Sequence, residues 1–323
     1  MSPSSIEICA GAGGQALGLE QAGFAHASLV ELEPAACATL RINRPSWNVV
    51  EANVCAYSAE RWKGIDLLAG GVPCPPFSKA GKQLGADDER DLFPEAMRLV
   101  SECQPRAVML ENVRGLLDPR FLPYREQLLK SLRAMGYIGE WRLLNASDFG
   151  VSQLRPRAIL VALRTDLVAH FAWPTAHRTP SIGVGALLMD LMQAGGWQGA
   201  AAWAEAADGT APTLVGGSKK HGGPDLGPTR ARAAWASLGV DGRGLADAPP
   251  QPNFMGAPKL TVRMAARVQG FPDSWTFSGR KTAAYRQIGN AFPPPVACAV
   301  GQSILSALNA AAKSKLSKGK VAA

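Results

Sequence analysis

The chain is poor in the residues that build metal centres and disulfide frameworks. Its 323 residues include only four histidines and six cysteines. His26, His170, His177 and His221 show no metal-ligand spacing with one another or with a cysteine, so neither a structural zinc nor any other metal is expected. Cys9, Cys37, Cys55, Cys74, Cys103 and Cys298 are widely spaced and contain no C-x-x-C pair, which predicts six reduced thiols. No uninterrupted apolar run approaches the roughly 18 residues of a membrane span; the longest clean one covers residues 158–163. The opening MSPSSIE has no basic start and no apolar stretch, so the expected setting is the cytoplasm, without a secretory signal. Charged residues are 19% and apolar residues 47%, which argues against a disordered chain or a coiled coil.

Acids are outnumbered, and the formal charge is +8. Half of that excess lies in Lys313, Lys315, Lys318 and Lys320, in an Ala/Ser/Lys tail at 310–323 that is expected to be disordered. The remaining charge is polarised. Residues 1–40 hold Glu7, Glu20, Glu31 and Glu33 with no Lys or Arg. Residues 259–290 hold six basic side chains against Asp273. One end suits a cationic ligand and the other an anionic one.

The first half alternates strand-like segments (5–9, 27–31, 65–69, 107–110, 158–163) with helix-like ones (15–22, from Pro34, 93–102, 124–135). That alternation implies an α/β fold with a parallel, doubly wound sheet. From residue 166 the periodicity fades and glycine pairs appear, which predicts a smaller, loop-rich domain over 166–280. Val296, Val300, Ile304 and Leu308 then form a helical stripe. The expected division is 1–165, 166–280, a returning segment 281–309, and the tail.

Four clusters carry chemistry. Gly11-Ala12-Gly13-Gly14-Gln15-Ala16 follows a strand and opens a helix, and Glu31 ends the next strand. This is nearly the dinucleotide fingerprint, in which glycines permit close approach and the acid accepts ribose hydroxyls; alone it does not say which adenosine-type cofactor. Cys74 sits in GGVPCPPFS beyond a strand end, where open α/β sheets bind ligands, between prolines that restrict its backbone. Glu111 caps another strand end, and against apolar neighbours its carboxyl would keep a proton near neutrality. Arg155 and Arg157, two apart in QLRPR, suit a phosphate and a polarised carbonyl.

EICAGAGG, GGVPCPPFS, ENVRG, QLRPRAILVAL, RMAARVQGFPDSW and YRQIGNAFPPP, in that order, resemble the motif set of the cytosine carbon-5 DNA methyltransferases. The resemblance covers roughly residues 5–163 and 259–308. It implies a Rossmann-like sheet that binds S-adenosylmethionine and releases S-adenosylhomocysteine, plus a small target-recognition domain with duplex DNA in the cleft between. It also implies catalytic roles for Cys74, Glu111, Arg155 and Arg157, with Asn112 as structural partner. Gly11, Gly13, Gly14, Glu31, Asn53, Pro73, Leu92 and Asn290 match the cofactor pocket. Ser78 and Lys82 match a loop that closes on DNA, and Thr213, Lys219, Lys220 and Arg230 fall in the recognition region. A monomer is expected, with a restriction endonuclease as functional counterpart.

The chain departs from the pattern at Cys9, where the family usually has Phe, at Leu32, at Asn53 for Asp, and at Pro75 for Gln. An RNA cytosine methyltransferase of the same fold would carry Cys-Phe-Thr, which this sequence lacks. A nicotinamide-dependent dehydrogenase fits the glycine turn and leaves Cys74 and Glu111 unexplained. A catalytically silent DNA-binding protein fits poorly with a full set of reactive groups.

Overall fold

Ser4–Ile8 (β1) places Ile6 and Ile8 on one face and Ser5 and Glu7 on the other, as strand alternation requires. The computed structural model describes residues 2–73, 91–177, 181–217 and 225–321, with side chains through Lys313. β1 is followed by helix Gly14–Ala22 (α1), strand Ala25–Glu31 (β2), helix Pro34–Asn43 (α2), and strands Val49–Glu51 (β3) and Leu67–Gly71 (β4). Helix Phe93–Cys103 (α3), strand Ala107–Val113 (β5), helix Leu122–Ala134 (α4) and strands Tyr137–Asn145 (β6), Gln153–Leu154 (β7) and Pro156–Arg164 (β8) complete the first half.

The main sheet has the order β3-β2-β1-β4-β5-β8-β6. Strands β1 to β5 pair in parallel, whereas β8 runs antiparallel to both β5 and β6. The fully parallel sheet expected from alternation is therefore corrected at this edge. Only residues 146–155 separate β6 from β8, too short a link for the helical crossover that parallel neighbours need. Both faces of the sheet are covered. Ile6, Ile8, Leu68, Val108 and Leu110 pack with Phe93 and Leu99 of α3. Leu67, Ala69, Met109, Ile159 and Val161 pack with the last helix. Near-continuous apolar strands are what two covered faces demand.

Beyond the sheet lie helices Val184–Gln193 (α5) and Ala200–Ala206 (α6), strand Ala211–Pro212 (β9), and helices Thr229–Ala236 (α7), Val262–Val268 (α8) and Lys281–Asn290 (α9). β9 pairs with β7. Their core joins Leu188, Leu214, Leu226, Trp235 and Met264 to Trp275, Tyr285 and Ile288.

Pro294–Val321 (α10) buries Val296, Val300, Ile304 and Leu308, the expected stripe. The helix also continues through Val321, into the stretch expected as a disordered tail. Its alanines are strong helix formers, and Ala311 is buried in the core. By length and composition Lys281–Lys313 could cross a membrane, a candidate that a count of unbroken apolar runs passes over. Its apolar stripe packs against the sheet instead.

α10 approaches α1 so closely that a Cβ on Gly18 would lie 2.3 Å from the Pro294 carbonyl oxygen and 2.6 Å from Ala297 Cβ. Backbone atoms cannot yield as a side chain does. Gly18→Ala is expected to lower stability by about 1–3 kcal/mol, the usual cost of overpacking, read as a reduced Tm. An unchanged Tm would show that α1 and α10 are not in close contact.

Candidate active site

The sheet reverses its strand order between β1 and β4, and a cavity of about 390 Å³ opens at the carboxyl ends of β1, β2 and β4. Gly11, Gly14, Glu31, Asn53, Pro73, Leu92 and Asn290 all line it, as does Glu111. Gly13 does not. It adopts φ of 83° and backs onto Leu40 and Trp275, so it shapes the turn from behind. Trp275 donates from its indole Nε1 to the Ala12 carbonyl at 3.1 Å, which fixes the turn from the far side.

Glu31 has two tasks. Its Oε2 accepts from the Gly11 amide at 2.7 Å, and its Oε1 accepts from the amides of Leu32 and Glu33 at 2.8 Å each. The carboxylate thus ties the glycine turn to the end of β2 while facing the cavity. The Oδ1 of Asn53 accepts from the Cys55 amide at 3.0 Å and caps a short helical turn. Its side chain is therefore oriented by the chain itself.

Glu111 lies within β5, opposite Gly71 of β4, and not beyond the strand end as the sequence suggested. Its Oε1 accepts from Arg157 Nε at 2.7 Å, and both side chains are nearly enclosed. Burial pushes the Glu111 carboxyl above its usual range, with the charges of Arg157 and Arg155 pulling the other way. Asn112 donates from Nδ2 to the Val72 carbonyl at 2.9 Å, and its Oδ1 accepts from the Val113 amide. That bond anchors the chain where it enters the Pro-Cys segment.

Arg155 does not share the task of Arg157. It has no exposure, and its guanidinium donates to the carbonyls of Leu214 and Gly289 at 2.7 Å and of Ala291 at 3.0 Å. The expected clamp on a base or phosphate is corrected. Both Nη groups of Arg155 are engaged by backbone, though its Nε has no partner, whereas Arg157, in β8, reaches Glu111. Thr213 donates to the Leu154 carbonyl at 2.5 Å, and Arg230 is exposed on α7. Cys74, Ser78, Lys82, Lys219 and Lys220 lie outside the described residues.

The cavity suits S-adenosylmethionine. A carboxylate at the end of β2 can accept ribose hydroxyls, and acids line the wall for a cationic sulfonium. A Cβ on Gly14 would lie 2.2 Å from the Phe292 carbonyl oxygen, so glycine here lets the turn pack against the segment after α9. The sequence reading missed Glu7, Gln15, Arg286 and Gln287 in this wall. Glu7 had a signal, an acid inside an apolar strand. Metal-ligating clusters are absent among the described residues.

Glu7 is 1% exposed, and its Oε2 has no hydrogen-bond partner. Burial raises its carboxyl well above the ordinary value near 4.5; the bond to the Ala16 amide opposes this and the charge of Glu31 adds to it. Above pH 4.5 the unfolded chain ionises here while the folded chain keeps its proton. Stability from this group is therefore lost as pH rises, at about 1.4 kcal/mol per pH unit until the folded group also ionises. Glu7→Gln removes the titration, so its Tm relative to the parent should climb between pH 5 and pH 8. A difference independent of pH would show that Glu7 is ionised in the fold.

Residues 4–220 and 231–306 match the family described as C-5 cytosine-specific DNA methylase. The Type II methyltransferase M.NaeI of Lentzea aerocolonigenes is 60% identical over 311 residues, 94% of this chain and 75% of that protein. M.NgoMIV of Neisseria gonorrhoeae is 56% identical over 311 residues, 95% of this chain and 99% of its own. A putative DNA modification methyltransferase from an Escherichia coli prophage superposes with a TM-score of 0.66 at 23% identity, covering 95% of this chain and all of the other. Dnmt2 from S. pombe gives a TM-score of 0.64 at 15% identity, covering 95% and 99%. These two likenesses speak for the fold. With most of its length matched by the family, and with two such relatives, the chain is a member of the C-5 cytosine-specific DNA methylases.

Proposed function

We propose that this methylase acts through Cys74 as nucleophile and Glu111 as the proton-bearing acid, with Arg157 holding Glu111 in place. The observation that carries this reading is that Glu111, paired with the buried Arg157, lines the same cavity as Glu31 and the glycine turn. The reaction methylates carbon 5 of cytosine in DNA, and S-adenosylmethionine, when bound, supplies an electrophilic methyl group. Gly11, Gly14, Glu31, Asn53, Pro73, Leu92 and Asn290 would hold that cofactor, with Gly13 shaping the turn.

Carbon 5 of cytosine is a weak nucleophile. The thiolate of Cys74 adds to carbon 6, and a proton held by Glu111 at ring nitrogen 3 offsets the charge that develops. Carbon 5 then has enamine character. After methylation it loses its proton, and the electron pair left behind expels the Cys74 thiolate and restores the ring. The base must leave the duplex to reach this edge of the sheet, at a cost of a few kcal/mol. Asn112, by holding the Val72 carbonyl, sets the approach of the Pro-Cys segment.

Residues 166–258 would choose the sequence, with Thr213, Lys219, Lys220 and Arg230 in the recognition region and Ser78 and Lys82 on the DNA backbone. The enzyme would act as a cytoplasmic monomer, paired in function with a restriction endonuclease.

A fluorine at carbon 5 cannot leave as a cation. Duplex DNA with 5-fluorocytosine at the target should therefore form an adduct that survives denaturing electrophoresis, maps to Cys74 and requires S-adenosylmethionine. Cys74→Ser should abolish it, since a hydroxyl is far less ionised than a thiol near neutral pH. An adduct on another cysteine, or full methylation by Cys74→Ser, would sink the assignment.

A further inference from the structure

Several polar side chains around the cavity are already engaged. Glu31 accepts three backbone amides. Asn53 accepts from the Cys55 amide, and Asn290 donates to the Gly217 carbonyl at 3.3 Å. Gln287 accepts from Thr39 Oγ1 at 2.6 Å and donates to the Ser278 carbonyl at 2.8 Å. By contrast, Glu7 Oε2 and both carboxamide atoms of Gln15 lack a partner. The half-buried Arg286 guanidinium has no hydrogen-bond or ion-pair partner among the described residues.

Charge separates these idle groups. The wall carries four carboxyl side chains, Glu7, Glu31, Glu33 and Glu111, and among its described residues Arg286 is the one Lys or Arg. Gln15 is neutral and Glu7 is an acid, so neither supplies positive charge. Arg286 reaches the cavity from α9, whose Ala283, Gln287 and Asn290 share the same lining face at helical spacing. The helix is held on both sides of Arg286, since Gln287 bonds to Thr39 of α2 and Arg155 donates to the Gly289 carbonyl. A cation fixed on an acidic wall, with no partner of its own, is placed for an anionic group of the ligand.

We propose that Arg286 is a cofactor-binding residue that takes the carboxylate at the amino-acid end of the ligand, and that it makes the cavity select ligands carrying that group. S-adenosylmethionine is positive at sulfur and at its amino group, and that carboxylate is its one anion. Four acids around the cavity disfavour it, and a guanidinium is the group that binds a carboxylate through paired, charge-assisted bonds. A ligand without the carboxylate loses those bonds and brings an ammonium towards a cation. The inference rests on the cavity holding the cofactor, and the test separates the two claims.

The experiment is calorimetry with S-adenosylhomocysteine and with its decarboxylated counterpart, which ends in a 3-aminopropyl chain. The parent should bind S-adenosylhomocysteine at least about tenfold more tightly than the decarboxylated ligand, the worth of a hydrogen bond to a charged group. Arg286→Met keeps much of the side chain's length and removes its charge and donors. It should weaken S-adenosylhomocysteine by at least about tenfold, leave the decarboxylated ligand within about twofold of the parent, and so abolish the preference. Arg286→Lys, which restores the charge without the fork, should recover part of it. A parental preference in folded Arg286→Met, or equal weakening of both ligands, overturns the assignment. Unchanged ligand affinities with weaker duplex binding and a smaller salt dependence would make Arg286 a phosphate contact, which also overturns it. No binding of either ligand by the parent overturns the cofactor reading instead.

Discussion

The guanidinium of Arg155 meets no solvent, and its two Nη groups end on three backbone carbonyls from positions 214, 289 and 291. Carrying a charge into such a place costs several kcal/mol unless hydrogen bonds replace the lost water. Here the replacement comes from segments far apart in sequence, and the Leu214 and Gly289 carbonyls take a side-chain donor from Arg155, while that of Ala291 is shared with Gln269. The constraint therefore acts in both directions. The charge is tolerable only if the segment after β9 and the end of α9 are in place, and Arg155 in turn donates to carbonyls of both. The rest of the molecule is arranged around that meeting point.

Two residues further on, the same residue type does another job. Arg157 lies in β8, the strand that runs antiparallel to β5, and this register brings it beside Glu111. The antiparallel strand thus has an electrostatic consequence. It delivers a cation to the carboxyl ends of parallel strands, where the glycine turn, Glu31 and Pro73 already converge. Burial alone would raise Glu111 further, and Arg157 limits the rise while fixing one carboxyl oxygen. The other oxygen remains on the side of Gly71, where a Cβ would lie 3.4 Å away.

The glycine turn and Glu31 were legible because the strand, turn and helix that position them are contiguous and each carries a local signal. The stripe of α10 was legible from its spacing. β6 was not, because YIGEWRLLN mixes charge and glycine into an exposed edge, and Ile138 and Leu143 remain partly exposed there. The separate duties of Arg155 and Arg157 were not legible either. Two identical side chains in QLRPR have the same local chemistry, and only long-range packing sends one to backbone carbonyls and the other to a carboxylate. Gln15 escaped notice for a related reason: nothing local says that it borders a cavity, whereas Glu7 at least stood out as an acid inside an apolar strand. The glycine turn alone left a nicotinamide enzyme open, and family membership decides for methyl transfer to cytosine.

The central claim is that the sheet edge bearing Glu111, held by Arg157, is where the chemistry occurs. The most direct test is single-turnover methylation of a target duplex by Glu111→Gln, measured beside its affinities for duplex and S-adenosylhomocysteine. Gln keeps the size of the side chain and cannot carry the acid proton. The account predicts a chemical step slowed by at least about a hundredfold, as when a comparable charge-stabilising donor is removed, with both affinities within a few-fold of the parent. A parental single-turnover rate in the variant would contradict it.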